Sequence, residues 1–376
     1  MSELYFAYRN NEIDKAKKYL EELSGADINR RESNGSTALH VACYYGNEDI
    51  VKLLLQSGAS QAIRNTRFDL TVYQEARSHK IRKLFERPDD SDRFICYLST
   101  NEWTLVDIHV AEASNKFRDY LKSIFDKSDL KDMISTISEF YIEDTRQISS
   151  RYVDVSNSLG KTIYGELLTS ALIDRKHTRR LSYGAISNKN GAIIDWFLTK
   201  AVDEVDPIFI VQAYTSTTNF YQIVNKHLSL RLLDNFKWDI SNAFLRPFRR
   251  LVIDVYDEEE VAGLFAAIFI HCPLLEPYSF VRQCFRGMLI SEDDLKIYHV
   301  GSLIMNKTFL SASKQQAVAK LFAGEGQTSN LRQTPDQKNI QWSALCTYNI
   351  KSNRSALQIE SISEVQCEEE VLIMPL

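Results

Sequence analysis

The spacing of hydrophobic residues changes along the chain from a helical period to short runs typical of strands. Apolar side chains recur at helical spacing through Phe117, Leu121 and Phe125, which predicts a helix. Further helices are predicted at 134–141, 221–233 and 261–270. After a proline-containing break at 273–277, strands are predicted at 296–301, 347–350 and 356–359, with an earlier one at 103–106. Helices followed by strands predict an α+β arrangement for the C-terminal half.

A repeating pattern occupies the start of the chain. Its clearest copy has a turn at Gly35, a short apolar helix, a longer helix with its apolar face at 50–55, and a loop at Gly58. This copy resembles a complete ankyrin unit. Gly25 lies 33 residues before Gly58 and marks a divergent copy upstream, and residues 71–85 form a shortened copy downstream.

About three ankyrin units are needed to bury a continuous core, so the divergent copies are interpreted as the ends of a minimal stack. The sequence therefore predicts an all-α ankyrin stack over residues 1–88. Such a stack either binds a protein partner or packs against the rest of its own chain, and the sequence leaves both roles open.

A proline- and acid-rich stretch at 87–92 marks the end of the predicted stack. Residues 89–200 are predicted to form a mixed, mostly helical segment whose role the sequence does not indicate. Residues 159–162 resemble part of a phosphate-binding loop, but Val155 occupies the position of its first glycine, which excludes a Walker ATPase. Residues 201–376 are predicted to form the last domain.

Composition and charge argue against several classes of function. The chain has 376 residues, of which 44% are hydrophobic and 25% charged, as expected for a soluble multidomain protein. A net charge of −5 without a basic stripe argues against a nucleic-acid partner. No apolar stretch has the length of a signal peptide or a membrane span, so a cytoplasmic protein without a membrane partner is expected. Six scattered cysteines without a Cys-x-x-Cys pair predict reduced thiols and no metal site.

The last ten residues contain the most distinctive pattern. Residues 371–373 are a short apolar run typical of a buried strand, and Pro375 ends it. Side chains alternate faces along a strand, so Glu368 and Glu370 are predicted to share a face and Glu369 to lie on the other. Two acids on one face repel each other, which favours a site where chemistry or a cation uses them. The alternative is a solvated acidic turn before a terminal strand.

Two more motifs lie upstream on predicted strands. Phe285-Arg286-Gly287 follows an apolar run, and Phe309-Leu310-Ser311-Ala312-Ser313 precedes a helical pattern that includes Phe322. The order of arginine, serine and Glu-x-Glu resembles the signature of the arginine-specific mono-ADP-ribosyltransferases. Ala312 departs from that signature, because the family usually has threonine between the two serines.

The resemblance covers roughly residues 200–376, and a segment at 212–225 is similar to the helices that lead into the family's catalytic core. It implies a split β-sandwich, with helices, that binds NAD in a central cleft. Together with the N-terminal repeats, this gives a multidomain α+β fold.

The resemblance also implies roles for the two acids. Breaking the bond between nicotinamide and ribose leaves positive charge on the sugar, and Glu370 would stabilise that charge. An arginine acceptor is protonated and cannot attack until it loses a proton. Glu368 would hold the guanidinium and take that proton.

The other motif residues are expected to bind NAD or to orient the catalytic acid. Arg286 would bind the NAD phosphates, or alternatively form an ordinary salt bridge, and Gly287 would let NAD approach the backbone. Ser311 would orient Glu370 and contact the ribose. Ser313 would contact NAD or be an ordinary serine at a strand end. Phe322 would stack on nicotinamide or pack in the core.

These expectations combine into one hypothesis: the chain transfers ADP-ribose from NAD to an exposed arginine of a protein substrate, with no metal. An NAD glycohydrolase, in which water replaces arginine, needs the same NAD cleft and the same Glu370. A third hypothesis is an interaction protein with ankyrin repeats and a degenerate NAD-binding core.

Overall fold

The computed structural model describes eleven stretches of the chain. They are 3–22, 25–86, 96–97, 103–106, 108–142, 188–218, 220–236, 258–291, 296, 298–323 and 341–375. The predicted boundary at 87–92 and the residues that resemble a phosphate loop, 159–162, lie outside these stretches.

Seven short helices form the N-terminal part. They are α1 (Glu3–Arg9), α2 (Ile13–Glu22), α3 (Gly25–Ile28), α4 (Ala38–Tyr45), α5 (Glu48–Gln56), α6 (Val72–Glu75) and α7 (His79–Lys83). Their buried side chains form a core of their own, which extends from Tyr8 to Phe85.

Local chemistry explains where the central helix pair begins and ends. The Thr37 side chain accepts a hydrogen bond from the backbone N–H of His40 and so caps α4. Gly46 ends that helix with a φ of 82°, a conformation that costs glycine little. The apolar face of α5 is buried at Ile50, Val51 and Leu54. The predicted short helix followed by a longer helix is therefore confirmed.

Six further helices lie in the described ranges between residues 108 and 271. They are α8 (Ile108–Lys127), α9 (Leu130–Ile142), α10 (Asn188–Glu204), α11 (Ile208–Thr215), α12 (Phe220–Phe236) and α13 (Glu258–His271). Their apolar side chains share one core cluster with Leu357 and Leu372 of the C-terminal strands. The predicted division at residue 200 falls inside α10, and α8 and α9 pack as part of this common core. Within the described ranges, no helix combines the length and apolar composition needed to cross a membrane.

The strands are β1 (Cys96–Tyr97), β2 (Trp103–Leu105), β3 (Gln283–Ser291), β4 (Ile304–Asn306), β5 (Leu310–Ser313), β6 (Gln341–Asn349), β7 (Ala356–Gln358) and β8 (Glu370–Ile373). Helix α14 (Gln316–Phe322) follows β5, and 3₁₀ turns lie at Pro273–Tyr278 and Gln366–Glu368. Mixed helices and sheet are confirmed, as are the strands at 103–106, 347–350 and 356–359. The strand predicted at 296–301 is wrong. Residue 296 is helical, residues 298–301 are irregular or in a turn, and Gly301 has a φ of 91°.

Strand β3 connects the parts of the main sheet. β6 pairs with it along its whole length. On the other edge, β5 meets β3 at Phe285, and β1 meets it farther along at Met288 and Leu289. β8 then pairs with β5 on one side and β7 on the other. One edge of β3 therefore pairs first with β5 and then, three residues later, with β1. The arginine motif lies at this change of partner.

Candidate functional site

The sheet brings the three C-terminal motifs together on adjacent strands. Ser313 of β5 lies opposite Phe285 of β3 and opposite Glu370 of β8. Ser311 lies opposite Leu372, two positions farther along the same pair of strands. The arginine, serine and glutamate motifs, which span more than eighty residues of sequence, therefore meet at one place in the sheet.

The side chains of these motifs are almost completely buried. Glu370 and Ser313 are 0% exposed, Arg286 is 3% exposed, and Ser311 and Glu368 are each 4% exposed. Charged groups taken out of water are costly unless other groups compensate for the lost hydration. These side chains are thus buried within the fold and do not line an open groove.

Arg286 lies where β5 separates from β3. Its Nη1 donates a hydrogen bond of 2.6 Å to the carbonyl oxygen of Ser311. Strand alternation directs it to the face opposite that of Phe285, and therefore opposite that of Glu370. The arginine thus binds the backbone of the serine strand, while its predicted contact with NAD phosphates stays a prediction.

Gly287 has a packing role in the sheet, and its expected contact with NAD stays a prediction. A Cβ at this position would come within 3.0 Å of the Ala319 carbonyl oxygen and the Ala323 backbone nitrogen. The missing side chain therefore lets α14 pack directly on β3. Phe322 is the last residue of α14, and its stacking on nicotinamide stays a prediction.

The two motif glutamates do not lie on one strand face, so that prediction is wrong. Glu368 ends the 3₁₀ turn, Glu369 has a φ of 45° and a ψ of 48°, and the strand begins only at Glu370. The left-handed residue interrupts the alternation of faces on which the prediction depended. Glu370 belongs to the sheet, whereas Glu368 belongs to the turn that leads into it.

The end of β5 binds this turn through its backbone. The Ser313 hydroxyl donates to the Glu368 carbonyl oxygen at 3.0 Å and accepts from the Gln315 N–H at 3.1 Å. The Lys314 N–H donates to the Glu369 carbonyl oxygen at 3.3 Å. Ser313 therefore fixes the backbone beside Glu368, a role that the sequence did not suggest.

A charged group borders the turn. The Lys314 ammonium lies 2.5 Å from Glu360 Oε2 and 3.6 Å from Glu369 Oε2. All three side chains are only partly buried, so the attraction between them is weakened by water. Lys314 directly follows the serine motif, so its place near the site could have been predicted. Its acidic partners could not, because they are distant in sequence.

The segment similar to the family's leading helices also contacts the motif strands. Tyr214 donates from its hydroxyl to Asn225 Oδ1 at 3.2 Å, and Asn225 donates from Nδ2 to the Phe309 carbonyl oxygen at 3.2 Å. This chain of hydrogen bonds links α11 and α12 to the residue that precedes β5. Both helices thereby help to position the serine strand.

Comparisons with known proteins agree with the N-terminal repeats. Residues 4–80 match the description "Ankyrin repeats (3 copies)". A curated relative, Alpha-latrotoxin-Lg1a of Latrodectus geometricus, is 27% identical over 186 residues, which are 46% of this chain and 12% of the relative. The chain thus spans about an eighth of that relative's length. No solved structure matches.

The three ankyrin repeats are therefore shown. None of these matches is an ADP-ribosyltransferase, so the catalytic hypothesis depends on the motifs and on their meeting in the sheet. In the part of the chain that the structure describes, no group of three His, Cys, Asp or Glu side chains could hold a metal ion.

Proposed function

We propose that the chain is a mono-ADP-ribosyltransferase that transfers ADP-ribose from NAD to arginine side chains of a protein, with release of nicotinamide. One observation carries the proposal. The register that sets Ser313 opposite both Phe285 and Glu370 brings an arginine motif, a serine motif and a glutamate onto three adjacent strands. The C-terminal part would then be a split β-sandwich that binds NAD.

The chemistry of the enclosed residues suits this reaction. In surroundings from which water is excluded, the carboxylate of Glu370 would stabilise positive charge on the ribose more strongly than it could in water. Ser311, on the neighbouring strand, would orient that carboxylate. The Glu368 carboxylate would hold the acceptor guanidinium and remove its proton.

Burial sets a condition for NAD binding. Glu370 is 0% exposed, so the ribose reaches its carboxylate only when the segments that cover it move. Arg286 has a planar fork of N–H donors suited to phosphate, and one of them already donates to the Ser311 carbonyl oxygen. NAD binding would therefore rearrange this hydrogen bond.

The ankyrin repeats indicate that the protein interacts with other proteins. In this proposal they recruit the substrate that carries the arginine. The buried thiols of Cys43, Cys272 and Cys284 suit a reducing, cytoplasmic setting.

One observation favours NAD glycohydrolase activity as a second candidate. The Glu368 side chain is only 4% exposed, which hinders the approach of a protein arginine more than that of water. Both activities require Glu370 and release nicotinamide, so nicotinamide alone does not distinguish them.

The test is to incubate the purified chain with radiolabelled NAD, with and without the guanidino acceptor agmatine. Nicotinamide, free ADP-ribose and ADP-ribosyl-agmatine are then quantified. The proposal expects acceptor-dependent product from the wild-type protein and none from Glu370→Gln. Free ADP-ribose without adduct would favour the glycohydrolase, and no turnover would leave the interaction role alone.

A further inference from the structure

A carboxylate of the C-terminal part is buried against the ankyrin stack. Glu364 is 6% exposed and lies four residues before Glu368. The Ser60 hydroxyl donates to its Oε1 at 2.5 Å, and the backbone N–H groups of Gln61 and Ala62 donate to Oε2 at 3.0 Å and Oε1 at 3.2 Å. Both carboxylate oxygens are therefore bound by one loop of the stack, some three hundred residues away in sequence.

Hydrogen-bond donors compensate for the burial of the Glu364 carboxylate. A carboxylate removed from water is costly unless donors replace its hydration, and here three donors converge on it. The backbone N–H of Glu364 also donates to the Thr215 hydroxyl at 3.1 Å. Glu364 thus connects the stack, helix α11 and the loop that leads into β8.

The residues between Glu364 and Glu368 contact the stack as well. The Thr71 hydroxyl donates to Gln366 Oε1 at 2.7 Å, and Cys367 Sγ lies 3.9 Å from the Phe85 carbonyl oxygen. We call residues 364–369 the acidic turn. The ankyrin stack holds one side of the acidic turn, and the end of β5 holds the other through Ser313 and Lys314.

The two glutamates differ in their dependence on these contacts. Glu370 lies in a strand that pairs with β5 and β7, so the sheet fixes its backbone. Glu368 precedes the left-handed residue Glu369 and is outside the ladder, so its position depends on the acidic turn. A loosened turn would displace Glu368 while leaving Glu370 in the sheet.

We propose that the ankyrin loop Ser60–Ala62 positions the acidic turn through Glu364, and that the stack thereby sets the place of Glu368 beside Glu370. Glu364 is a positioning residue, since it acts through Glu368. The catalytic consequence rests on the proposed transferase function. Arginine transfer, which uses Glu368, then depends on the stack more than NAD hydrolysis does.

The test uses the full chain with Ser60→Ala, Glu364→Gln and the double variant. Glu276→Gln is the matched control, because it also removes a glutamate charge from a hydrogen bond, here to Arg354, on the exposed surface. Hydrogen exchange of the peptide 359–370 is measured by mass spectrometry. KM for agmatine and kcat for transfer and for NAD hydrolysis are measured on the same samples. Ser60→Ala removes one hydroxyl and keeps the assay usable if Glu364→Gln folds poorly.

We expect faster exchange of 359–370 in both single variants, little further change in the double variant, and no change in the control. The KM for agmatine should rise about threefold to tenfold. This is less than the direct loss of a hydrogen bond to a charged group would cause, because the effect reaches Glu368 only through the turn. The kcat of NAD hydrolysis should stay within about twofold, because the ladder still holds Glu370.

Three results would overturn the proposal: unchanged exchange of 359–370, an equal loss of transfer and hydrolysis, or an increase in transfer. An increase would show that the stack inhibits transfer. A wild-type protein that does not consume NAD would instead overturn the proposed transferase function. In that case the exchange measurement alone still decides whether Glu364 positions the acidic turn.

Discussion

Strand β8 and the acidic turn carry the two glutamates of one motif, and the chain holds them by different means. Glu370 is fixed by backbone pairing on both sides of its strand. Glu368 is held by a turn whose contacts come from the ankyrin loop Ser60–Ala62 and from Ser313. Neighbours in sequence can therefore depend on different parts of a structure, and substitutions that affect one should spare the other.

The largest effect is expected at the glutamate in the strand. Glu370→Gln removes the charge proposed to stabilise the ribose, so transfer and NAD hydrolysis should both fall by about a hundredfold to a thousandfold. The measurement is the rate of nicotinamide release with and without agmatine. Glu369→Gln, which removes a half-buried acid on the adjacent residue, is the control and should keep both activities. Turnover near the wild-type rate in Glu370→Gln would contradict its assigned role.

A smaller and selective effect is expected at the glutamate in the turn. Glu368→Gln should lower arginine transfer by about a hundredfold, as is typical for a lost proton acceptor, and retain most NAD hydrolysis. Product analysis with agmatine measures both activities in one sample. Parallel loss of the two activities would show that the two glutamates act as one unit and would contradict their separate roles.

Two serines of one strand allow a matched test. Ser313→Ala removes a hydrogen bond to the Glu368 carbonyl oxygen, which is worth about 1 kcal/mol, so transfer should fall several-fold and hydrolysis should change little. Ser311→Ala should lower both activities, because Ser311 is proposed to orient Glu370. The two rates are compared for each variant. The same profile in both variants would contradict the separation of strand and turn.

The smallest expected effect is a pH dependence of stability at Glu364. Burial raises the pKa of this carboxyl, while its hydrogen bonds from Ser60, Gln61 and Ala62 oppose the shift. A raised pKa favours the protonated form in the folded state. Its contribution to the free energy of unfolding is therefore fully present below the ordinary value of 4.5 and is lost as pH rises through the raised pKa.

Thermal unfolding of wild type and Glu364→Gln between about pH 4 and pH 8 measures this contribution. The stability of wild type relative to the variant should decrease as pH rises. A difference that stays constant with pH would contradict a raised pKa of Glu364 in the folded state.

The features predicted correctly from sequence are those that local chemistry decides. The short and longer helices of the central repeat form as predicted, because local groups such as the Thr37 cap and Gly46 set the ends of α4. The apolar run at 371–373 likewise forms the predicted strand. The sequence shows the order of the arginine, serine and glutamate motifs along the chain. The pairing of their strands, seen in the structure, brings them together.

The features that sequence reasoning missed depend on contacts between distant residues. Glu364 has no distinctive local pattern, because its partner Ser60 lies 304 residues away. The strand face assigned to Glu368 was wrong because a single left-handed residue, Glu369, is decided by the hydrogen bonds of the turn. The packing of α14 on Gly287 was likewise not foreseen, and the approach of NAD to that glycine stays a prediction.

The most direct test of separate roles for the two glutamates is the ratio of ADP-ribosyl-agmatine to free ADP-ribose formed from labelled NAD. Wild type, Glu368→Gln and Glu370→Gln are assayed at one saturating agmatine concentration. The account predicts mainly adduct from wild type, mainly free ADP-ribose from Glu368→Gln, and neither product from Glu370→Gln. An unchanged ratio in Glu368→Gln, or full activity in Glu370→Gln, would contradict it.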